Sequence, residues 1–223
     1  MKITASKLIR WSGLAAIAAG IIFAGIQPIH PADELASVTT RAWASIMPLK
    51  TAMGILFVAG TAGLYARQVE ESGWLGLAGF VLFSLNWVIQ TWYIFVEAFV
   101  LPLLPAESPV FVSSYLGLAH GASGEMELGA LATIYTLAGL LFIGGGLLLG
   151  IATLRARVLP RWPAALLIAA SVVTVAAAAV PHPLNRVFAI PMGLAMIWLG
   201  YCLWSERRAT ATQPLPGRLE PSK

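Results

Sequence analysis

Charged side chains are scarce in this chain: they make up 11% of its 223 residues, against roughly 25% in an ordinary soluble domain. Hydrophobic residues account for 58%, and the mean hydropathy is +0.80. The apolar residues are spread along the whole length instead of being gathered at one end. This composition excludes a soluble enzyme and a soluble domain on a single anchor, and it predicts a small multi-span membrane protein.

Cysteine is equally scarce, and so are catalytic signatures. The single cysteine, Cys202, cannot form an intrachain disulfide, and its place in an apolar segment favours a buried thiol that packs as a small apolar group. The sequence has no phosphate-cradling glycine loop with its lysine, no Gly-x-Ser-x-Gly elbow and no Cys-x-x-Cys pair. No basic cluster exceeds a few residues, so nucleic acid is not an expected partner. These absences leave enzyme activity uncertain and count against it.

Six stretches are apolar and long enough to cross the hydrocarbon core of a bilayer, which takes about 20 residues for roughly 30 Å. They cover residues 8–26, 46–65, 74–100, 128–154, 162–180 and 187–204. We therefore expect an all-α, six-span transmembrane bundle that forms a single domain over residues 1–204. The remaining residues, 205–223, are polar and contain proline, which predicts a disordered cytoplasmic tail.

Lys and Arg are distributed unevenly between the two sides of the predicted bundle. Eleven of the fourteen precede the first span, follow the second, lie between the fourth and fifth, or follow the sixth, and the exceptions are Arg41, Lys50 and Arg186. The positive-inside rule then predicts a multi-pass protein of the cell (plasma) membrane with both termini in the cytoplasm. Contact of these cations with anionic headgroups accounts for the net charge of +4, so membrane lipids are expected partners.

Two of the spans look like copies of each other. Arg10 and Trp11 open the first span and a Pro-Ile-His-Pro run closes it, while Arg161 and Trp162 open the fifth and a Pro-His-Pro run closes it. The third span also opens with a tryptophan, Trp74. The pattern favours three sequential helical hairpins, although Trp and Arg gather at membrane interfaces in any case.

One loop resembles a known family. From Gly150 to Trp162 the chain reads Gly-Ile-Ala-Thr-Leu-Arg-Ala-Arg-Val-Leu-Pro-Arg-Trp. This run resembles a cytoplasmic loop in a family of bacterial multi-span membrane proteins catalogued as a domain of unknown function. The resemblance covers that loop and the general hydropathy. It implies a bacterial origin, and it brings no activity or catalytic residues with it.

Polar residues collect in the third span, where each one needs a partner because the hydrocarbon core offers no water. Asn86, Gln90, Tyr93 and Glu97 fall at i, i+4, i+7 and i+11, the spacing that places side chains on one face of a helix. At about 1.5 Å per residue from Trp74, Asn86 lies near the middle of the bilayer and Glu97 near the outer surface. The stripe therefore opens outward.

Lys50 lies in the outer part of the second span, at a depth that overlaps that of Tyr93 and Glu97, so we expect a Lys50–Glu97 ion pair. Two interpretations of these five polar residues are open. They form interhelical bonds that hold the bundle together, each worth about 0.6 to 2 kcal/mol. Alternatively, they line a water-accessible pocket or half-channel that recognises a small molecule or ion.

All three histidines fall on the predicted outer side: His30 after the first span, His120 between the third and fourth, and His182 after the fifth. With a nearby carboxylate they form a candidate zinc, iron, copper or haem site, since imidazole is the commonest metal ligand. Their spacing matches no metal-binding motif, and histidine is equally suited to a wet interface beside helix-ending prolines. No cofactor is predicted, and a metal or haem is kept as an alternative.

The connection between the third and fourth spans, residues 101–127, is the longest and has no Lys or Arg. Within it, residues 109–121 are too apolar for a solvated loop and too short to span, which predicts a segment on the membrane surface that serves as a lid or covers the bundle end. Between residues 139 and 150 the fourth span carries five glycines, including a small-xxx-small pair at Gly146 and Gly150. Packing within the chain is the default interpretation, and homo-oligomerisation is the alternative.

Three classes of function are consistent with these patterns. The first is binding or passage of a small molecule or ion through an outward-facing polar pocket. The second is a membrane enzyme or electron-transfer protein that holds a metal or haem through the outer histidines. The third is a structural or regulatory protein that binds lipid or a partner through its glycine-rich face.

Overall fold

The structure of the protein is a computed structural model that describes residues 3–121, 124–177, 180–181 and 184–211, with side chains described up to residue 205 except that of His120. Within this part of the chain there are seven α-helices and no strands. They are α1 (Ala5–Ile26), α2 (Arg41–Arg67), α3 (Val69–Phe99), α4 (Pro109–Gly117), α5 (Ala130–Ala156), α6 (Arg161–Ala177) and α7 (Ile190–Ala211). The predicted all-α fold is confirmed.

Five of these helices are long and apolar enough to cross a membrane: α1, α2, α3, α5 and α7. They coincide with five of the six predicted spans, and they mark the chain as a helical membrane protein. The counterpart of the other predicted span is α6, which is apolar but has 17 residues. Helix α7 continues through Ala211, so the segment predicted to be a tail from residue 205 begins inside a helix, and residues 212–223 lie outside the described ones.

The six longer helices pack in chain order into a closed ring, in which α7 returns to contact α1. Neighbouring helices run antiparallel. On α1 and α2, for example, Gly60 lies against Ala16 while Gly63 lies against Ser12. Each of these helices contacts its neighbours in sequence, and the grouping into three sequential hairpins stays a prediction.

The ring closes through glycines on α1 and α7. A Cβ atom at Gly20 would lie 2.4 Å from the carbonyl oxygen of Gly193, and one at Gly13 would lie 2.8 Å from that of Gly200. These two contacts are seven residues apart on each helix, so both fall on the same helical face. Only glycine allows the backbones to approach this closely.

The glycines of α5 also pack within the chain. Gly145 faces the backbone of α3 at Phe83, whereas Gly146 faces Ser171 and Gly150 faces Ile168, both on α6. The small-xxx-small pair therefore joins α5 to its neighbour in the ring, which is the default interpretation of the sequence.

The two ends of the ring differ. At one end the connections between helices are short. Two side-chain contacts join the helices there: the Gln68 side chain donates to the Thr153 hydroxyl (2.8 Å), and the Arg10 guanidinium lies 3.7 Å from the centre of the Trp204 ring. The α2–α3 connection ends at Gly73, whose φ of +54° suits glycine, so the straight part of α3 begins at Trp74. At the other end lie α4 and the long connections between α1 and α2, α3 and α5, and α6 and α7.

Helix α4 covers that second end of the ring. Its residues Val112, Ser114, Tyr115 and Leu116 are buried. The Tyr115 hydroxyl donates to the backbone carbonyl of Tyr93 on α3 (3.2 Å). The apolar character of this segment is therefore explained by packing on the bundle, as the cover interpretation expects.

Candidate functional site

A cavity of about 390 Å³ lies inside the ring towards the α4 end. Helices α1, α2, α3, α5 and α6 contribute to its wall, together with the segments that follow α1, α4 and α6. Its volume falls within the range of about 300 to 1,000 Å³ that is usual for small-molecule sites. The cavity is the place where charged residues of the connections at the α4 end meet the polar face of α3.

Lys50 and Glu97 form the expected ion pair on the wall of the cavity. The Lys50 ammonium lies 3.3 Å from a carboxylate oxygen of Glu97, and the two side chains are only 15% and 11% exposed. The indole N–H of Trp43 donates to the backbone carbonyl of Glu97 (2.8 Å), which holds this turn of α3 against α2. The pair therefore has a rigid setting as well as opposite charges.

His30 extends this pair into the connection after α1. The Lys50 ammonium donates to Nε2 of His30 (2.8 Å), and Nδ1 lies 2.7 Å from the carbonyl oxygen of Pro31. An ammonium group can only donate and a carbonyl can only accept, so this geometry requires a neutral imidazole protonated at Nδ1. Burial, reinforced by the cations Lys50 and Arg186, lowers the pKa of His30 from 6.5 to about 3, which agrees with the neutral form.

A second ion pair lies beside the first. Arg186, in the segment before α7, donates to the carboxylate of Asp33, and the other oxygen of that carboxylate lies 3.9 Å from Nδ1 of His30. The Arg186 and Asp33 side chains are 14% and 5% exposed. The two cations and two carboxylates around the neutral His30 cancel in formal charge. We call these five residues the charged cluster.

Three of the four residues of the predicted α3 stripe line the cavity: Asn86, Gln90 and Glu97. The fourth, Tyr93, is not among the lining residues, because its hydroxyl donates to the backbone carbonyl of Leu131 at the start of α5. Tyr93 therefore belongs to the α3–α5 contact.

Asn86 and Gln90 differ in their partners. In the orientation that satisfies both amide atoms, Asn86 donates to the backbone carbonyl of Ala138 on α5 (2.9 Å) and accepts from the backbone N–H of Trp87 (3.3 Å). Asn86 is thus an interhelical tie, as the structural interpretation expects. The Gln90 amide has no hydrogen-bond partner among the described residues and lines the cavity.

Aromatic rings form the deep part of the wall. Phe23, Trp87 and Phe142 line the cavity, and their centroids lie 5.5 Å (Phe23 to Trp87) and 6.0 Å (Trp87 to Phe142) apart in edge-to-face pairs. Behind them, Phe57 stacks on Trp87 at 3.7 Å. The cavity therefore combines an apolar floor of packed rings with the charged cluster.

The predicted metal site stays a prediction. Among the described residues there is no group of three His, Cys, Asp or Glu side chains placed to hold a metal ion. Both nitrogens of His30 are engaged, one by Lys50 and one by Pro31. The side chain of His120 and the whole of His182 lie outside the described residues, so their convergence with His30 is untested.

Sequence reasoning did not assign Arg186, Asp33 or Tyr135 to the pocket, although all three line the cavity. A signal was present for Arg186. It is one of three basic residues that the positive-inside rule leaves on the outer side, and two of these, Lys50 and Arg186, are paired with carboxylates at the cavity. A basic residue on the unexpected side of a span is therefore a useful marker of such a site.

Comparison with protein-family models, with curated proteins and with solved structures found no match. The interpretation of the cavity therefore rests on its own geometry.

Proposed function

We propose that this chain is a six-span protein of the plasma membrane that binds or passes a small molecule through the cavity, which opens to the outer side. The observation that carries the proposal is the Gln90 amide, which faces the cavity beneath the charged cluster and has no partner among the described residues. A polar group at membrane depth without a protein partner requires water or a ligand. A closed structural bundle has no need of it.

The placement in the membrane is supported by the positions of tryptophan and basic residues. Trp11, Trp74 and Trp162 are 66%, 85% and 63% exposed and lie near the starts of α1, α3 and α6, at the end opposite the cavity. Exposed tryptophans at one level are typical of a headgroup interface, and the accompanying Lys and Arg residues favour the cytoplasmic side. Helix α6 supplies the sixth span, since 17 residues measure about 26 Å at 1.5 Å each.

The experiment is labelling with a membrane-impermeant thiol reagent added to intact cells. Cys202 is buried in α7 and is first replaced by alanine to remove its thiol. In that background we expect Gln90→Cys to react from the outside. The matched control is Val88→Cys, two residues away on the same helix, whose side chain is 55% exposed on the outer surface of the ring and contacts lipid in this arrangement.

A Gln90→Cys protein that is present in the membrane but inert to the reagent would contradict an outward-open cavity. Equal labelling in inverted vesicles and in intact cells would contradict the orientation. Labelling of both positions at the same rate would show that the reagent does not distinguish cavity from lipid face, and so would refute the enclosed site.

A second candidate function is favoured by the pairing of the charged cluster. Every charge in it has an opposite partner, as expected if the cluster serves to join α2, α3, the connection after α1 and the segment before α7. In that case Gln90→Leu should leave the stability unchanged or raise it, because it removes a polar group that has no partner among the described residues. Protection of Gln90→Cys from the thiol reagent by any small molecule would separate the binding function from this structural one.

A further inference from the structure

The structure gives the cavity a chemical preference. We propose that its occupant is a molecule of no net charge that combines a flat ring with a hydrogen-bonding head such as an amide. This inference rests on the proposed function and refines it, because it states which class of small molecule the site accepts. Three features of the wall carry it: its charge balance, its rings and its unpartnered polar groups.

The charge balance of the cluster disfavours a charged occupant. Glu97 is paired with Lys50, and Asp33 with Arg186, while His30 between them accepts from Lys50 and is neutral. An anion would find each cation already engaged, and a cation would find each carboxylate engaged. Either one would lose its hydration on entering without gaining an uncompensated partner, and that loss is expensive in a low-dielectric site.

The rings favour a flat apolar group. Phe23, Trp87 and Phe142 line the deep part of the cavity from three different helices. Trp87 is held by its stack on Phe57 and by edge-to-face contacts with the other two rings, so the surface that it offers is preformed. Aromatic groups gain from stacked or edge-to-face contacts with such a surface, beyond the burial of their area.

Two unpartnered polar groups on neighbouring helices supply the hydrogen bonds. The Gln90 amide and the Tyr135 hydroxyl line the cavity on α3 and α5, and neither bonds to another described residue. The Trp87 indole N–H and the Asn185 side-chain oxygen, in residues that also line the cavity, have no partner among the described residues either. An amide offers donors and an acceptor, and a phenol offers one donor and accepts as well. A ligand head with both a carbonyl and an N–H or O–H is the complement of this pair.

The test compares three probes that share a benzyl group and differ in charge: phenylacetamide, phenylacetate and 2-phenylethylamine. Each is titrated by isothermal calorimetry into the full-length protein in nanodiscs at neutral pH, with empty nanodiscs as the reference for partition into lipid. We expect phenylacetamide to bind at least about tenfold more tightly than either charged probe, because only the charged probes leave a charge without a counterion. Cyclohexylacetamide, which keeps the head but loses the flat ring, should bind more weakly than phenylacetamide.

Two variants link the preference to the site. Phe142→Leu removes one ring of the floor and should weaken phenylacetamide binding by about three- to tenfold, whereas Phe99→Leu, on the outer surface of α3, should leave it unchanged. Arg186→Gln removes one of the two cations of the charged cluster and makes its formal charge more negative by one, so the preference should move towards the cation 2-phenylethylamine.

Tighter binding of either charged probe, or a preference that Arg186→Gln fails to move, would overturn the inference and leave the binding cavity in place. The same conclusion follows if none of the probes binds while Gln90→Cys is still labelled from outside. If Gln90→Cys is not labelled, the proposed function and this refinement fall together.

Discussion

The Lys50–Glu97 pair offers the sharpest test of how the cavity is held together. Its charged atoms lie 3.3 Å apart, and both side chains are nearly buried. Coulomb attraction at this distance is about 5 kcal/mol for an effective dielectric constant of about 20. Much of this attraction offsets the cost of desolvating the two groups. Glu97→Gln alone leaves the buried Lys50 charge with only a neutral imidazole beside it. We therefore expect this variant to lower the free energy of unfolding by about 2 to 4 kcal/mol.

The double variant Lys50→Met/Glu97→Gln distinguishes an ion pair from two independent contacts. Removing both charges should restore stability to within about 1 kcal/mol of the wild type, since no buried charge is then left unpaired. The measurement is unfolding in detergent, followed by far-ultraviolet circular dichroism, for the wild type, both single variants and the double variant. Glu70→Gln, at an exposed position near the opposite end of the ring, is the control and should change stability by less than about 0.5 kcal/mol. If the two single effects simply add in the double variant, the pairing argument is refuted.

Three further predictions follow from single contacts. Burial depresses the pKa of His30 to about 3, so between pH 6.5 and pH 3 this histidine binds a proton in the unfolded chain but not in the folded one. The contribution of His30 to the free energy of unfolding should therefore be full above pH 6.5 and be lost as the pH falls towards 3. His30→Gln should flatten that part of a pH titration of the free energy of unfolding. Gly20→Ala should lower the free energy of unfolding by about 1 to 3 kcal/mol, because its Cβ would lie 2.4 Å from a backbone carbonyl of α7. Gly25→Ala on the same helix meets nothing within 4 Å and should be neutral or stabilising in the same unfolding measurement by circular dichroism. Trp43→Phe removes the hydrogen bond to the carbonyl of Glu97 and should lower the unfolding free energy by about 1 to 3 kcal/mol; an unchanged value would show that this bond contributes nothing to holding α3.

Much of the site was within reach of sequence reasoning because it depends on depth and periodicity. The helical repeat placed Asn86, Gln90 and Glu97 on one face, and counting residues along two spans brought Lys50 to the level of Glu97. Helical period does not reveal which neighbour a given residue of the stripe meets. Tyr93 shares the face but bonds to Leu131 on α5, a choice made by the rotation of α3 between its two neighbours.

The all-helical, membrane-type bundle and the positions of its long helices follow from the amino-acid sequence, because apolar length and composition are local properties of the chain. The tertiary structure alone decided the rest. The closure of the ring through Gly20 and Gly193, and the pairing of Asp33 with Arg186 across 153 residues, depend on the order in which helices pack. No local pattern encodes that order, since in lipid it is set by close packing and polar contacts between distant segments.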